Sequence, residues 1–235
     1  MKLWLVVSNL NNLLPYLSRP INLIIIFSIV YVFSLPPFGV SIFYYLSFSI
    51  IFYNILTNDN FSKKYIFYFF LFTQIITLSW ITQSFYSGGF GYLFLGIILV
   101  GVLSIFIAFL HYSATILILV TFKKKLLQIF LLPLGLSIVE ILKEFIFGGF
   151  PWNPSAIIYY KNIWILKSLP FLGVYGLGLV IHLIVGLIIY FLYCKNKVVT
   201  FSLSSVLVLI YVFGFFENNT ERKTNNETLN ILLIQ

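Results

Sequence analysis

Three ionisable residues lie close together within one otherwise apolar stretch of the sequence. Glu140 and Lys143 are three residues apart, and Glu144 follows directly. Side chains at positions i and i+3 share one face of a helix, so Glu140 and Lys143 can form an ion pair. Ionisable groups at membrane depth usually face a bundle interior or a water-filled cavity. We predict a solvated helix end for Glu144. Glu140 lies one turn deeper, and for this residue a structural or functional role in the bundle interior is the alternative to a solvated helix end.

His111, His182 and Cys194 are the other residues whose chemistry could serve metal binding or nucleophilic catalysis. A metal site built on the two histidines lacks a third ligand nearby, so we predict neither a metal nor a cofactor. Cys194 is the only cysteine of the sequence, which excludes an internal disulfide. We interpret Cys194, beside Lys195, as an ordinary residue at the inner end of a helix. These residues alone identify no reaction.

Small and polar residues recur at helical spacing on three apolar stretches. One stretch has Gly178, His182 and Gly186 at every fourth position. The other two carry Gly101, Ser104, Ala108, His111 and Thr115, and Thr73, Thr77, Trp80 and Ser84. Such stripes allow helices to approach each other closely in lipid. We therefore interpret them as helix-packing faces turned towards a bundle interior, with a ligand path as the alternative.

The elements that must position these residues are predicted to be transmembrane helices. Of the 235 residues, 61% are hydrophobic and 9% are charged, whereas soluble domains contain about 25% charged residues. So many apolar side chains exceed what one core can bury, and the remainder must face lipid. We predict an all-α polytopic membrane protein with about seven transmembrane helices. Their expected ranges are 20–35, 39–57, 64–86, 91–121, 126–146, 171–194 and 198–216.

The basic residues of the loops predict the orientation in the membrane. The net charge is +8. The basic residues are scattered between hydrophobic runs, as is typical of anchors at a membrane surface, so we predict no nucleic-acid partner. With a cytoplasmic N-terminus, the inner loops contain Lys2, Arg19, Lys63, Lys64, Lys123, Lys124, Lys125, Lys195 and Lys197. The outer segments then contain only Lys161, Lys167, Arg222 and Lys223. The positive-inside rule favours this orientation, which places the C-terminus outside.

The composition changes abruptly at Glu217. Residues 1–216 form the predicted transmembrane domain, and the polar residues 217–228 form an outer linker. Residues 229–235 are apolar and are predicted to form a short strand. Because a lone strand cannot bury or pair itself in water, we expect the chain to stop just as a second, soluble domain begins.

Four motifs occur in an order that is typical of one enzyme family. Leu35-Pro36-Pro37-Phe38-Gly39 forms a turn after the first span, and Gly149-Phe150-Pro151-Trp152 follows the helix that contains Glu140. Gly173-Val174-Tyr175-Gly176-Leu177 begins the sixth span, and residues 229–235 form the terminal strand. Together they resemble the membrane region of bacterial apolipoprotein N-acyltransferases and the first strand of their nitrilase-like domain. The chain departs from that pattern at Asn153-Pro154 and at Glu144, which replaces a frequent glycine.

The resemblance implies a reaction, the transfer of an acyl chain from a phospholipid to the N-terminal diacylglyceryl-cysteine of a lipoprotein. In that family a cysteine thioester forms with the help of a glutamate and a lysine, all in the nitrilase-like domain. We expect that domain to be almost entirely absent here, so the resemblance implies no catalytic residue and no activity for this chain alone. The implied partners are the phospholipid acyl donor, the diacylglyceryl apolipoprotein and membrane lipid. The implied location is the bacterial inner membrane, with a periplasmic C-terminus.

The predicted substrate-binding residues are Gly149, Phe150, Pro151, Trp152 and Glu140. Glycine and proline exclude a regular helix around Trp152, so this loop must cap the outer ends of two neighbouring spans. Tryptophan favours the headgroup level of a bilayer. We expect the loop and Glu140 to form the side wall of a lipid-entry site, with simple anchoring of the loop as the alternative.

Three functions remain open on the sequence alone. The first is the membrane part of a truncated or split N-acyltransferase, whose other half would be a separate nitrilase-like chain. The second is a small multi-span transporter or channel with Glu140, Gln74 and His182 in its interior. The third is a non-catalytic membrane remnant. The polar outer linker that ends in a strand favours the first function over the second.

Overall fold

The computed structural model describes residues 19–86, 88–149 and 153–196, with single positions 198, 201, 202, 204, 205, 208 and 212. The helices are α1 (Pro20–Val32), α2 (Ile42–Thr57), α3 (Lys63–Leu78), α4 (Ile81–Tyr86), α5 (Phe90–Thr121), α6 (Lys125–Ile146), α7 (Ile163–Leu166) and α8 (Leu169–Cys194). A 3₁₀ helix, Ser155–Tyr159, lies between α6 and α7. Across these described ranges the regular elements are all helical, which confirms the predicted all-α class.

Three helices are long and apolar enough to cross a membrane, namely α5, α6 and α8. The helices α1 and α2 are also apolar but shorter. These helices support a membrane protein, while the number of seven crossings stays a prediction. The predicted seventh span at 198–216, apart from the single positions given above, lies outside the described residues. So do the linker at 217–228 and the strand at 229–235, so the predicted nitrilase-like stub is not tested.

The predicted third span, 64–86, is divided into α3 and α4 by a turn at Ser79 and Trp80. The hydroxyl groups of Thr77, Ser79 and Thr82 donate to backbone carbonyls three or four residues earlier. Such bonds compete with the backbone ladder of a helix and favour bends. Because the helix breaks here, Trp80 is 61% exposed and Ser84 is exposed as well. The predicted interior face therefore ends at Thr77, and its extension to Trp80 and Ser84 was wrong.

The six longer helices pack side by side in a closed ring in the order α1, α3, α5, α6, α8 and α2. Their shared core contains buried aromatic and aliphatic side chains such as Phe48, Phe69 and Ile181. The predicted small-residue face of α5 is confirmed as a packing face at Ser104, Ala108, His111 and Thr115, which are buried there. Its extension to Gly101 was wrong, because a Cβ atom at that position would meet nothing within 4 Å. The ring also buries polar side chains, and these make up the candidate site.

The connections of the bundle gather at two ends, which we call the lysine end and the loop end. At the lysine end, residues 58–62 and 122–124 lie together, because the Lys125 ammonium donates to the carbonyl of Leu56. At the loop end, segment 147–168 contacts the turn 33–41, because Tyr160 Oη donates to Pro37 O at 2.7 Å. The lysine end contains more of the loop lysines than the loop end, which contains Lys161 and Lys167. The positive-inside rule therefore favours the lysine end as the cytoplasmic face, an orientation that stays a prediction.

Cysteine labelling of intact cells tests that orientation. Both Lys124 and Asn162 are exposed, at the lysine end and the loop end respectively. In a Cys194→Ser background, which removes the exposed native thiol, we expect Lys124→Cys to be protected from an impermeant maleimide and Asn162→Cys to react. The reverse pattern would contradict a cytoplasmic lysine end.

Candidate functional site

Glu140 lies inside the bundle, near the loop end of α6, with only 6% of its surface exposed. Its Oε1 accepts a hydrogen bond from the backbone N–H of Ser155 at 2.8 Å. Its Oε2 accepts a second bond from the Ser155 hydroxyl at 3.3 Å. A buried carboxylate must be paired or hydrogen-bonded to offset its desolvation. Glu140 therefore has an interior position, and both of its oxygens are occupied by the segment that follows the predicted substrate-binding loop.

The end of α6 explains how the chain returns to Glu140. The N–H of Gly149 donates to the carbonyl of Glu144 at 2.8 Å, and Gly148 has φ +65° between them. This is a Schellman-type helix end, in which the left-handed residue is almost always glycine. Gly149 itself is exposed and has φ +93°. The two glycines reverse the chain direction, and Ser155 then reaches back over α6.

Of the predicted substrate-binding residues, some are among the described residues and others are not. Gly149 is at the turn that leaves α6, and Glu140 anchors the returning segment. Phe150, Pro151 and Trp152 lie outside the described residues. Their predicted contacts with substrate therefore stay a prediction.

His182 of α8 joins three helices through its two ring nitrogens. Its Nε2 is 2.7 Å from the Tyr44 hydroxyl of α2, and its Nδ1 is 2.6 Å from the Ser137 hydroxyl of α6. Its Nε2 is also 4.0 Å from Glu140 Oε1. A neutral imidazole has one donor and one acceptor nitrogen, so one hydroxyl donates to the ring and the other accepts from it. With both nitrogens engaged and its side chain fully buried, His182 fixes the helices that surround Glu140.

Gly178 of α8 makes room for the bonds between Glu140 and Ser155. A Cβ atom at this position would lie 2.8 Å from Ser155 Oγ and 2.9 Å from Glu140 Oε2. A Cβ atom at Gly186, two turns further along, would lie 3.0 Å from the ring of Phe130. The predicted stripe of Gly178, His182 and Gly186 is thus confirmed as a close-packing face. At Gly178 the close neighbour is a polar network instead of an apolar surface.

A second set of bonds holds the segment beyond Ser155 at the loop end. The hydroxyls of Tyr159 and Tyr45 are 2.5 Å apart, and burial raises the pKa of Tyr159 above its ordinary value. The Lys161 ammonium donates to the carbonyls of Pro37 and Phe38 at 2.8 and 3.0 Å. These contacts bring together the Pro36-Pro37 turn and the segment after Trp152, two motifs that the sequence analysis treated separately.

A small cavity of about 30 Å³ lies beside Glu140 within the ring. Lys143, which is 3% exposed, lines it and interacts electrostatically with Glu140. Gln74 of α3 lines it as well. The remaining lining residues are Tyr31, Tyr44, Phe48, Phe70, Thr73, His111, Leu136, Asn153 and Ser155. The small cavity in the interior of the bundle is thus lined by an acidic side chain, a basic side chain and the amide groups of Gln74 and Asn153.

The arrangement is suited to positioning a loop. The carboxylate of Glu140 is hydrogen-bonded to Ser155, and the two ring nitrogens of His182 are each hydrogen-bonded to a hydroxyl group. Among the described residues no group of three metal-ligating side chains occurs. The sequence analysis identified Glu140 and His182 but missed Ser155, Tyr44 and Ser137, because no spacing rule links residues so far apart in the chain. The geometry holds Gly149 and Ser155, which stand on either side of the predicted motif, at one end of the bundle.

Comparison with known protein families gives a match over most of the chain. The family model described as the apolipoprotein N-acyltransferase N-terminal domain matches residues 27–187. This range begins within α1, ends within α8 and contains Glu140, Ser155, Gly178 and His182. Among curated proteins, none matches the chain.

Proposed function

The chain belongs to the apolipoprotein N-acyltransferase family, and we propose that it supplies the membrane region for acyl transfer to lipoproteins. In the proposed reaction, an acyl chain passes from a phospholipid to the amino group of the N-terminal diacylglyceryl-cysteine. The observation that carries this proposal is the double anchoring of the loop that contains the family-like Gly149–Trp152 motif. Ser155 is bonded to the buried Glu140, and Lys161 is bonded to the turn at Pro37.

The anchored loop is proposed to form one wall of the site through which lipid substrates enter. Phe150 would contact the acyl chains as a purely apolar ring. Trp152 would contact the glyceryl group, because an aromatic side chain with a polar N–H suits the membrane interface. Glu140 is assigned a positioning role, since both of its oxygens already accept bonds from Ser155. This role differs from the direct substrate contact expected from the sequence.

The described bundle does not supply the nucleophile for the proposed reaction. The sequence contains one cysteine, Cys194, which is the last residue of α8 and lies at the lysine end. Acyl transfer through a thioester needs a thiolate beside an activating base. We propose that a nitrilase-like domain, covalently joined or separate, supplies these groups at the loop end, where the anchored loop would receive the substrates.

Photo-crosslinking of a lipid substrate tests the proposed entry site without requiring catalysis. The chain in phospholipid nanodiscs is illuminated with a diacylglyceryl-cysteine lipopeptide that carries a photoreactive acyl chain. Unlabelled lipopeptide should compete for this crosslinking. We expect Trp152→Ala to reduce the competed signal about thirtyfold, as removal of a central aromatic anchor costs about 2 kcal/mol.

Trp164→Ala is the matched control for that experiment. Trp164 is 63% exposed at the same end of the bundle but lies outside the Gly-Phe-Pro-Trp motif. We expect the crosslinking of this variant to stay within a factor of two of the unsubstituted chain, which corresponds to about 0.4 kcal/mol. An equal loss for both variants would indicate generic membrane anchoring. Crosslinking that unlabelled lipopeptide does not reduce would contradict substrate binding altogether.

A further inference from the structure

Two buried nitrogens beside the cavity have no hydrogen-bond partner within the described residues. They are Nδ1 of His111 and Nδ2 of Asn153, and both residues line the cavity. His111 is 7% exposed. Buried polar groups in folded proteins are almost always satisfied by protein or by ordered water. Two such nitrogens at one small space therefore point to a bound molecule that can accept and donate hydrogen bonds.

The ring of His111 cannot easily turn to find a protein partner. It stacks on Phe70 with ring centroids 4.9 Å apart and an interplanar angle of 15°. Its helix packs tightly here, since Ala108 on the same face is fully buried. An off-rotamer side chain costs energy, and a stacked aromatic pair is itself stabilising. The plane of the His111 ring is therefore held against Phe70 at the wall of the cavity.

The size and lining of the cavity identify the molecule. A volume of about 30 Å³ is enough for one or two waters, because a single water needs roughly 10–15 Å³ measured in this way. A lipid headgroup is far too large for it. The wall also contains the amide of Gln74, so with His111 and Asn153 a water has the two to four polar partners that it requires.

We propose that this cavity is an internal water-binding site, in which one or two ordered waters hydrogen-bond to His111 Nδ1 and Asn153 Nδ2. The water links α5 to the segment that follows the Gly149–Trp152 motif. This link is independent of the Glu140–Ser155 bond and does not depend on the proposed acyl-transfer function. It gives the loop a third attachment, on the side of the bundle formed by α3 and α5.

X-ray radiolytic footprinting of the protein in nanodiscs tests the proposal directly. Radiolysis of a bound water produces hydroxyl radicals in place, and these oxidise the nearest aromatic rings. Phe70 lines the cavity and is 2% exposed, whereas Phe52 is 0% exposed and is not among the lining residues. We expect Phe70 to be oxidised at least fivefold faster than Phe52. Equal rates would overturn the proposal.

The variant His111→Phe gives a second measurement, because phenylalanine preserves the stack on Phe70 while removing both ring nitrogens. If water is bound, the variant loses a polar partner of that water, and the midpoint of thermal unfolding should fall by about 2–6 °C. Oxidation of Phe70 should fall as well. A dry cavity predicts the opposite result, since removal of an unsatisfied nitrogen would leave the midpoint unchanged or higher.

Discussion

Glu140→Leu is expected to lower the free energy of unfolding by about 3–5 kcal/mol, the largest loss that we expect from one substitution in the polar network. Leucine is close to glutamate in size but leaves the N–H and hydroxyl of Ser155 without their acceptor. Each buried group without a partner costs about 1–3 kcal/mol. Lys143, which is 3% exposed, also loses the opposite charge that offsets its burial. Unfolding in mixed SDS and detergent micelles measures this change.

Two further variants show whether the loss comes from the loop anchor. Glu140→Gln retains one oxygen for the Ser155 N–H, so we expect an intermediate loss of about 1–3 kcal/mol. Glu144→Leu replaces a carboxylate one turn further along α6 that is only partly buried, and we expect less than about 1 kcal/mol. If Glu140→Leu proved no more costly than Glu144→Leu, Glu140 would not be the anchor of this loop.

The helices could be predicted from the sequence because lipid imposes a simple rule on them. A long apolar run such as Phe90–Thr121 must satisfy its backbone internally, and a helix does so within one segment. Six of the predicted spans therefore overlap α1 to α6 and α8. The short helix α7 lies in none of them, and the predicted span 198–216 stays a prediction. The break between α3 and α4 was missed, because hydropathy does not record the local bonds of Thr77, Ser79 and Thr82. Those bonds decide where the helix bends.

The site could be predicted only in part, because its bonds are distant in sequence. Periodicity identified Glu140 and His182 as unusual residues in apolar helices. It could not show that Tyr44 meets His182, since 138 residues separate them. Nor could it show that Ser155 satisfies Glu140, because that contact needs the chain reversal at Gly148. Such contacts follow from the ring order of the helices, which loop charges and hydropathy do not determine.

The sequence did place Gly178 on a packing face, and the structure gives that glycine a larger expected effect than ordinary helix packing would. A Cβ atom would lie 2.8 Å from Ser155 Oγ and 2.9 Å from Glu140 Oε2. Neither oxygen can withdraw without losing its bond to the other residue. Overpacking costs about 1–3 kcal/mol, and the loss of one hydrogen bond adds about 1 kcal/mol. We therefore expect Gly178→Ala to lower the free energy of unfolding by about 2–4 kcal/mol.

Gly101→Ala is the matched control for Gly178→Ala. Gly101 lies within α5, and a Cβ atom there would meet nothing within 4 Å. Alanine is favoured over glycine inside a helix by up to about 1 kcal/mol, so this variant should be unchanged or more stable. If Gly178→Ala lowers the free energy of unfolding and Gly101→Ala raises it, the loss at Gly178 comes from steric conflict and not from helix propensity. A Gly178→Ala variant as stable as Gly101→Ala would contradict the close approach of α8 to Glu140.

Combining Gly178→Ala with Glu140→Gln tests whether both act through the same bond to Ser155. Independent substitutions add their costs within about 0.5 kcal/mol, whereas residues that share a partner do not. In the double variant the bond between Ser155 Oγ and Glu140 Oε2 is already weakened by the first change, so the second has less to remove. We expect a combined loss at least 1 kcal/mol smaller than the sum of the single losses, on the scale of ordinary coupling energies. Strict additivity would mean that Gly178 and Glu140 stabilise the bundle separately, and that the loop is not held by the contact that joins them.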